Sequence, residues 1–434
     1  LYILDFASET LKAFEKAPHV GDVILSFEAE KIINLFKMLK SEIINRKKLF
    51  SDFGGEYITF CTDSENKVPN ILVVINNYAV FSELYEACEE DVMYLSREGS
   101  KYGVHFVLTA VSANSVRYKM LQNFAQTYVL QMNDEMDYSG ILGNVDGVYP
   151  SKFKGRGIIK KDAVYEFQIA YCSEPDKMYE QIRTICTELQ KNSRVFANCV
   201  PVLPQKVDAT FLENHKNSIE STPIGVNKSN LQIVSADFSE ECISIISSLD
   251  QKYLSRFSQG IAEILSRNIG VDTTVFDFEK TYALSGFENY KYVSEDAEKA
   301  IVELFNLMVE RHKQFKENYQ IKFSKHIYIL SSFSVMSKYL SADGIDKLNV
   351  LLDKSTSDYK MYFIICDISS ELQKLSMQPW FRNHCGKGNG IWVGDGVTNQ
   401  YQLKISSVSS ELNREIGGDF GVVINNGKYK ICKL

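Results

Sequence analysis

The sequence predicts an α/β protein made of two tandem copies of one domain, each a mostly parallel sheet with helices on both faces. Three observations lead there. Short apolar runs bounded by polar residues alternate with segments of helical period through both halves of the chain. The order of these segments in the first half recurs in the second. A weak internal repeat marks one helix of each half, which ends Arg46-x-Lys48-x-Phe50 in the first and Arg311-x-Lys313-x-Phe315 in the second. In that register Phe36 meets Ile301, Leu39 meets Leu304, and Ile43 meets Met308.

In the first half Leu1–Asp5 is an apolar run, and Glu28–Phe50 places Ile32, Phe36, Leu39, Ile43 and Leu49 close to helical spacing. Ile71–Ile75 and Val104–Thr109 are expected as strands buried on both faces. Ser82–Arg97 is expected as one helix, bounded by Gly99 and Gly103. Val116–Phe124 is expected as a helix and Thr127–Gln131 as a strand. Ile158-Ile159 and Val164–Ala170 form a terminal hairpin, and Glu180–Gln190 is a closing helix. In the second half the strands are Cys242–Ile246, Thr273–Phe276, Ile327–Leu330 and Met361–Cys366, and the helices Leu254–Arg267 and Ala297–Phe315. Gly390–Val393, Tyr401–Ile405, Gly421–Ile424 and Tyr429–Cys432 are expected as strands of a closing sheet. Pro201, Pro204 and Pro223 punctuate a stretch with little periodicity, so the domains are expected at 1–196 and 223–434 with 197–222 as linker.

The 434 residues suffice for two or three domains with substantial cores. The formal net charge of −7 argues against a sequence-independent grip on nucleic acid, which needs Lys and Arg to neutralise phosphates. Nine cysteines without a C-x-x-C pair read as core thiols in a reducing compartment, and six dispersed histidines show no metal-ligand spacing. No metal site is therefore expected. No apolar run is long enough to span a bilayer. The chain starts inside a strand-like run and without Met, so a piece of a longer protein is expected.

Two buried strands end in a pair of polar residues followed by an aromatic, the place where an ATPase keeps its Walker B carboxylates. There the first carboxylate orients the magnesium shell and the second polarises the attacking water. Here the pairs are Asn76-Asn77 before Tyr78, and Ser331-Ser332 before Phe333. Amides and hydroxyls accept hydrogen bonds but serve neither as base nor as full counter-charge to a divalent cation. Losing such a term costs roughly a thousandfold in rate. The alternative is that these are ordinary polar strand ends. The Walker A loop, G-x-x-x-x-G-K-[ST], is absent from the chain. The strand-to-helix corner of the second half reads Ser247-Ser248-Leu249-Asp250-Gln251-Lys252-Tyr253, with no glycine and with a carboxylate that would repel phosphate. Lys252 is either a lone phosphate ligand or a solvated helix-start lysine. Gly386, Gly388 and Gly390 precede a strand and read as a turn, not as a dinucleotide fingerprint.

These features resemble the FtsK/SpoIIIE family, in particular its type VII secretion branch, whose chains carry several ATPase domains in tandem. The resemblance covers nearly the whole chain. It is carried by Leu1-Tyr2-Ile3-Leu4-Asp5-Phe6, Ala17-Pro18-His19-Val20, Ile75-Asn76-Asn77-Tyr78, Gln131-x-Asn133-Asp134-Glu135-x-Asp137-Tyr138 and Gly155-Arg156-Gly157, and in the second half by Gly390-Ile391-Trp392-Val393-Gly394-Asp395-Gly396. It implies two tandem RecA-like P-loop ATPase domains. Residues 1–196 would be the second ATPase domain without its P-loop strand and helix, and 223–434 the third. It also implies a hexamer-forming motor, anchored in the membrane elsewhere in the full chain and cytoplasmic here, with neighbouring ATPase domains and secreted WXG-type proteins as partners. ATP and magnesium would then bind in an earlier part of the full-length protein. Arg117 falls where related motors place an arginine that reaches a neighbouring site, the alternative being a surface arginine. The expected function is a substrate-recognition and regulatory module with degenerate nucleotide sites; the competing expectation is an active protein or DNA translocase.

Overall fold

The computed structural model describes residues 1–63, 67–268, 270–282 and 290–434. They fall into two compact units, Leu1–Val202 and Leu203–Leu434. Pro201 and the residues before it fold onto unit 1, where the Pro201 carbonyl accepts from Asn34 Nδ2 at 3.0 Å, whereas Val207, Ala209 and Leu212 pack in unit 2.

Unit 1 holds strands β1 (Tyr2–Asp5), β2 (Asp22–Leu25), β3 (Ile71–Asn76), β4 (Val104–Leu108), β5 (Tyr128–Leu130), β6 (Arg156–Lys160) and β7 (Val164–Gln168). Its helices are α1 (Ala29–Phe50), α2 (Tyr57–Asp63), α3 (Tyr78–Leu84), α4 (Glu89–Glu98), α5 (Tyr118–Leu121), α6 (Glu135–Leu142) and α7 (Met178–Asn192). Unit 2 holds β8 (Thr222–Asn227), β9 (Ile233–Ala236), β10 (Ile243–Ser248), β11 (Val271–Phe276), β12 (Tyr290–Val293), β13 (Lys325–Ser331), β14 (Met361–Ile368), β15 (Gly390–Val393), β16 (Phe420–Asn425) and β17 (Lys428–Lys433). Its helices are α8 (Ala209–Leu212), α9 (Gln251–Ser266), α10 (Ala297–Glu317), α11 (Phe333–Lys338), α12 (Ala342–Lys354), α13 (Ser369–Leu375) and α14 (Pro379–Cys385).

The ten strands of unit 2 form one sheet in the order β12-β11-β13-β14-β10-β15-β16-β17-β8-β9. The first six run parallel, and the rest join antiparallel. Helices cover both faces. α9 lays Leu254, Ile261 and Leu265 on Ile327, Ile329 and Ile364, while α10 and α12 bury Ile301, Leu304 and Leu348 against Leu330 and Ile365 on the other side. Each such aliphatic side chain contributes about 1.5–3 kcal/mol on burial.

Unit 1 repeats this plan with a break in it. Its parallel sheet, β2-β1-β3-β4, pairs in the register of β12-β11-β13-β14: Val73 stands between Tyr2 and Phe106 as Tyr328 stands between Thr274 and Phe363. Its antiparallel trio β5-β6-β7 corresponds to β15-β16-β17. In unit 2 β10 pairs with both β14 and β15 and so joins the two halves of the sheet. Among the described residues of unit 1 nothing holds that position, and the sheet is divided. The consequence appears in exposure: Leu72 and Val107 are 37% and 44% exposed, whereas their counterparts Ile327 and Ile364, beneath α9, are 0% and 1% exposed. Ile71–Ile75 and Val104–Leu108 are thus half-open strands and not buried on both faces.

Three other expectations need correction. Ser82–Arg97 is two helices, α3 and α4, separated by a turn at Tyr85, whose hydroxyl reaches the Ser26 carbonyl at 2.6 Å. Val116–Phe124 holds only the single turn α5. Tyr401–Ile405 is no strand; Leu403 is instead held by Gln400, whose side chain bonds both its N–H and its carbonyl. Local pattern cannot register such side-chain anchors.

The repeated arginine has a repeated task. Arg46 is buried and donates to the carbonyls of Tyr102 at 2.7 Å and Pro69 at 2.9 Å. Arg311 donates to the carbonyls of Tyr359 at 2.5 Å and Ser324 at 3.2 Å, which stand in the same register relative to β14 and β13. Phe50 and Phe315 cover the same tyrosines, with ring centroids 6.3 and 6.2 Å apart. Each guanidinium therefore ties the end of its long helix to the entries of two adjacent parallel strands. Replacing Arg311 by Met takes this donor from the buried Tyr359 carbonyl and from that of the exposed Ser324, and should cost about 1–3 kcal/mol. Both tryptophans, Trp380 and Trp392, are buried in unit 2, so tryptophan fluorescence reports its urea unfolding. Arg311→Met should lower that midpoint. Arg46→Met should leave it in place and lower the far-ultraviolet circular dichroism transition. An unchanged fluorescence midpoint for Arg311→Met would count against the tie.

Candidate functional site

The corner between β10 and α9 is short. Only Leu249 and Asp250 separate strand from helix. Asp250 is the N-cap and its carboxylate accepts the Lys252 N–H at 2.7 Å. Ser248 Oγ accepts the Asp250 N–H at 3.1 Å and donates to the Val393 carbonyl at 2.7 Å, and Ser247 Oγ donates to the Asp367 carbonyl at 2.9 Å. A helix N-terminus binds phosphate with free N–H groups and a positive local potential. Here a built-in carboxylate meets the helix start. The corner is also covered. A Cβ on Gly396 would lie 2.5 Å from Leu249 Cδ1, and one on Gly418 would lie 2.3 Å from the Tyr253 ring, so both loops press directly on corner residues. Lys252 is exposed.

Ser331 and Ser332, at the end of β13, are both buried. Ser332 adopts a left-handed conformation, with φ of 48°, at the N-cap of α11. Its hydroxyl donates to Glu279 and accepts from Gln251 Nε2 at 2.8 Å; the same amide reaches the Glu279 carboxylate at 3.2 Å. Gln251, Ser332 and Glu279 thereby bridge the helix start, the β13 end and the loop after β11. Behind them the buried Asp367 carboxylate accepts the Ser334 N–H at 2.6 Å, and burial pushes its pKa above the usual carboxylate range. The strand ends are closed over by their own side chains.

Unit 1 presents the same turn with different chemistry. Asn77, like Ser332, is left-handed, with φ of 65°, and caps the following helix α3. Asn76 Nδ2 donates to the buried Asp5 carboxylate at 2.8 Å, and Asn76 Oδ1 accepts from Thr109 Oγ1 at 2.7 Å. The carboxylate fixes this amide orientation, because an ionised carboxylate only accepts. Thr109 Oγ1 in turn accepts the Asn77 N–H at 2.9 Å. Asn77 Oδ1 is buried without a hydrogen-bond partner among the described residues. Arg117 lies on an ion pair with Glu89 at 3.0 Å and lines a cavity of about 700 Å³ with Tyr78, Met93 and Arg97. Burial, with Glu89 nearby, pushes the Tyr78 pKa up to about 12.

The fold thus brings Ser247, Ser248 and Asp250 to one corner and Ser331 and Ser332 to the opposing strand end, and it puts Asn76, Asn77 and Arg117 at one end of unit 1. Asp5, Thr109, Gln251, Glu279 and Asp367 were not singled out as site residues from sequence. A signal for the first existed: Leu4-Asp5-Phe6 and Phe276-Asp277-Phe278 end equivalent strands, and both aspartates are buried. A second cavity, of about 250 Å³, lies along α9 in unit 2. It is lined by Val207, Leu212, Ile224, Phe257, Ile261 and Ile264, with open space above the mid-helix Gly260. Among the described residues no cluster of His, Cys, Asp or Glu could hold a metal ion, and no helix is long and apolar enough to cross a membrane.

Residues 1–145 match the FtsK/SpoIIIE family. The resemblance inferred from the residues is therefore shown by the family match in unit 1 and by relatives whose alignments extend into unit 2. The chain is 25% identical over 334 residues to the ESX secretion system protein YukB of Bacillus subtilis, covering 73% of this chain and 22% of YukB. It is 24% identical over 280 residues to the type VII secretion system protein EssC of Staphylococcus aureus, covering 61% of this chain and 19% of EssC. It spans about a fifth of the length of these relatives. Among solved structures, ATPases 2 and 3 of EssC from Geobacillus thermodenitrificans superpose with a TM-score of 0.87 at 19% identity, over all of this chain and 84% of that one. ATPases 2 and 3 of EccC from Thermomonospora curvata, in complex with a signal sequence peptide, align with a TM-score of 0.56 at 18% identity, over all of this chain and 81% of that one. The fold is thus that of two tandem RecA-like domains.

The geometry around Asp5 makes a prediction about restoring a carboxylate at the strand end. Asn76→Asp would set two carboxylates within hydrogen-bond distance and should destabilise unit 1 by about 1–3 kcal/mol. The exchange Asp5→Asn with Asn76→Asp restores the donor–acceptor match between the two positions but leaves the Ala7 N–H facing an amide N–H, so it should recover only part of that loss in thermal unfolding followed by circular dichroism. A stable Asn76→Asp single variant would contradict the assigned hydrogen bond.

Proposed function

We propose that this chain acts in type VII protein secretion as a substrate-recognition and regulatory module, the C-terminal part of a longer motor, with nucleotide sites that no longer hydrolyse ATP on their own. The observation that carries this is Asp250: its carboxylate caps the helix at which a P-loop protein would hold phosphate. In this reading 223–434 is the third, degenerate ATPase-like domain. Residues 1–196 are the second, without its P-loop segment, and the open edges of β4 and β5 are where that segment's strand belongs. Asn76, Asn77, Ser331 and Ser332 are degenerate Walker B positions. ATP and magnesium are held by an earlier part of the full-length protein, and Arg117 reaches toward a neighbouring site when the ring assembles. The partners are neighbouring ATPase domains, other copies in a hexamer, and secreted WXG-type proteins; the membrane anchor lies elsewhere in the longer protein.

A retained fold with dismantled chemistry still offers rigid surfaces for a peptide. The signal-peptide complex of the Thermomonospora relative supports placing a substrate segment on this chain. The cavity along α9 suits the apolar anchor of an amphipathic helix, because Gly260 leaves room for a side chain there. The test is anisotropy titration of the whole chain with a fluorescent peptide from the C-terminal tail of a secreted WXG-type protein. Wild type should bind, and Gly260→Leu, which fills the cavity, should weaken binding at least tenfold without lowering the unfolding midpoint. Equal binding of intact and tail-less substrates would overturn the recognition role.

A further inference from the structure

We infer that Asp5, Asn76 and Thr109 form a conformational relay joining the open rim of unit 1 at β4 to helix α7. Every hydrogen bond in the chain has a defined direction. The Leu11 N–H donates to Asp5 Oδ2 at 3.1 Å and the Ala7 N–H to Asp5 Oδ1 at 3.2 Å. Asn76 Nδ2 donates at 2.8 Å to Asp5 Oδ1, the oxygen that also accepts the Ala7 N–H, and Thr109 donates its single hydroxyl hydrogen to Asn76 Oδ1. Three strand ends are linked in series, from the exposed Thr109 on the open edge to the buried Asp5 on β1. Beyond Asp5 the connection is apolar. Leu11 and Phe14, in the turn that Asp5 holds, pack with Ile182 and Cys186 of α7.

The relay can be switched at one atom. A hydroxyl has one hydrogen, so an anionic oxygen arriving beside β4 that takes it must take it from Asn76. The Asn76 amide then loses the partner that fixes its side chain opposite Asp5, and the 7–14 turn loses part of its anchor. Among the described residues unit 2 has no counterpart. There Asp277 is held by the Tyr282 N–H and the Tyr292 hydroxyl, both at 2.8 Å, and the position of Thr109 is taken by Cys366, a thiol fully enclosed beneath α9. The duplication has therefore kept the aspartate in both units and the relay in one. This inference rests on the nucleotide-fold reading of unit 1 only for the kind of ligand that operates it, a phosphate oxygen.

Hydrogen exchange read by mass spectrometry or NMR on the whole chain tests the relay without any ligand. Thr109→Val removes the donor at an exposed site and keeps the shape; Thr109→Ser keeps the donor. Exchange at Ala7 and Leu11 should quicken roughly tenfold in the Val variant, with α7 also less protected, and should stay near wild type in the Ser variant. Changes confined to Asn77 and Tyr78, or equal behaviour of the Val and Ser variants, would overturn the proposal. Because no nucleotide is added, such a failure is distinct from a failure of the nucleotide-fold reading.

Discussion

A buried guanidinium at the end of a long helix is the constraint on which both units are arranged. Arg46 and Arg311 each meet two backbone carbonyls, one at the entry to each of two adjacent parallel strands. A charged group accepts burial only when its donors are matched, and the planar fork of arginine suits two carbonyls at once. The contact fixes helix, strand pair and register together. The strand ends that carry the site then fall in the same place in both copies: a polar residue, a left-handed residue, and an aromatic that opens the next helix.

What the two copies do with that frame differs. Unit 2 completes its sheet with β10 and covers it with α9, so its core faces are sealed. The corner that could have bound phosphate is filled by Asp250, Leu249 and the loops pressing on Tyr253. Unit 1 leaves Leu72 and Val107 uncovered and the rim at Thr109 open. Electrostatics follow packing. In unit 2 the carboxylates at the rim face amides and hydroxyls of the chain itself, and in unit 1 the Asp5 carboxylate faces an asparagine whose other end looks outward through Thr109. The difference between a closed and an open strand end comes from one strand and one helix, not from the polar residues alone.

Much of this was legible in the residues. The apolar runs marked the central strands, and Arg46-x-Lys48-x-Phe50 with Arg311-x-Lys313-x-Phe315 marked the duplication, because the buried arginine and its neighbouring phenylalanine are constrained in type. The polar pairs Asn76-Asn77 and Ser331-Ser332 were recognisable as strand ends because a helix must start there. Other features were not legible. Whether Leu72 or Val107 is covered depends on an element distant in space, which apolarity cannot report. The break at Tyr85 comes from its hydroxyl reaching Ser26, and the loop at Leu403 from Gln400; both are tertiary contacts that override local periodicity. The aspartate relay depends on three residues far apart in sequence, each unremarkable alone.

Calorimetric titration of the whole chain with an ATP analogue, with and without magnesium, addresses the central claim most directly. With Asp250 capping α9 and Gln251, Ser332 and Glu279 bridging the strand ends, the predicted result is no magnesium-dependent heat up to millimolar nucleotide, in wild type and in Lys252→Ala alike. Tight, magnesium-dependent binding that Lys252→Ala abolishes would contradict it, since the corner of unit 2 would then be a working phosphate site.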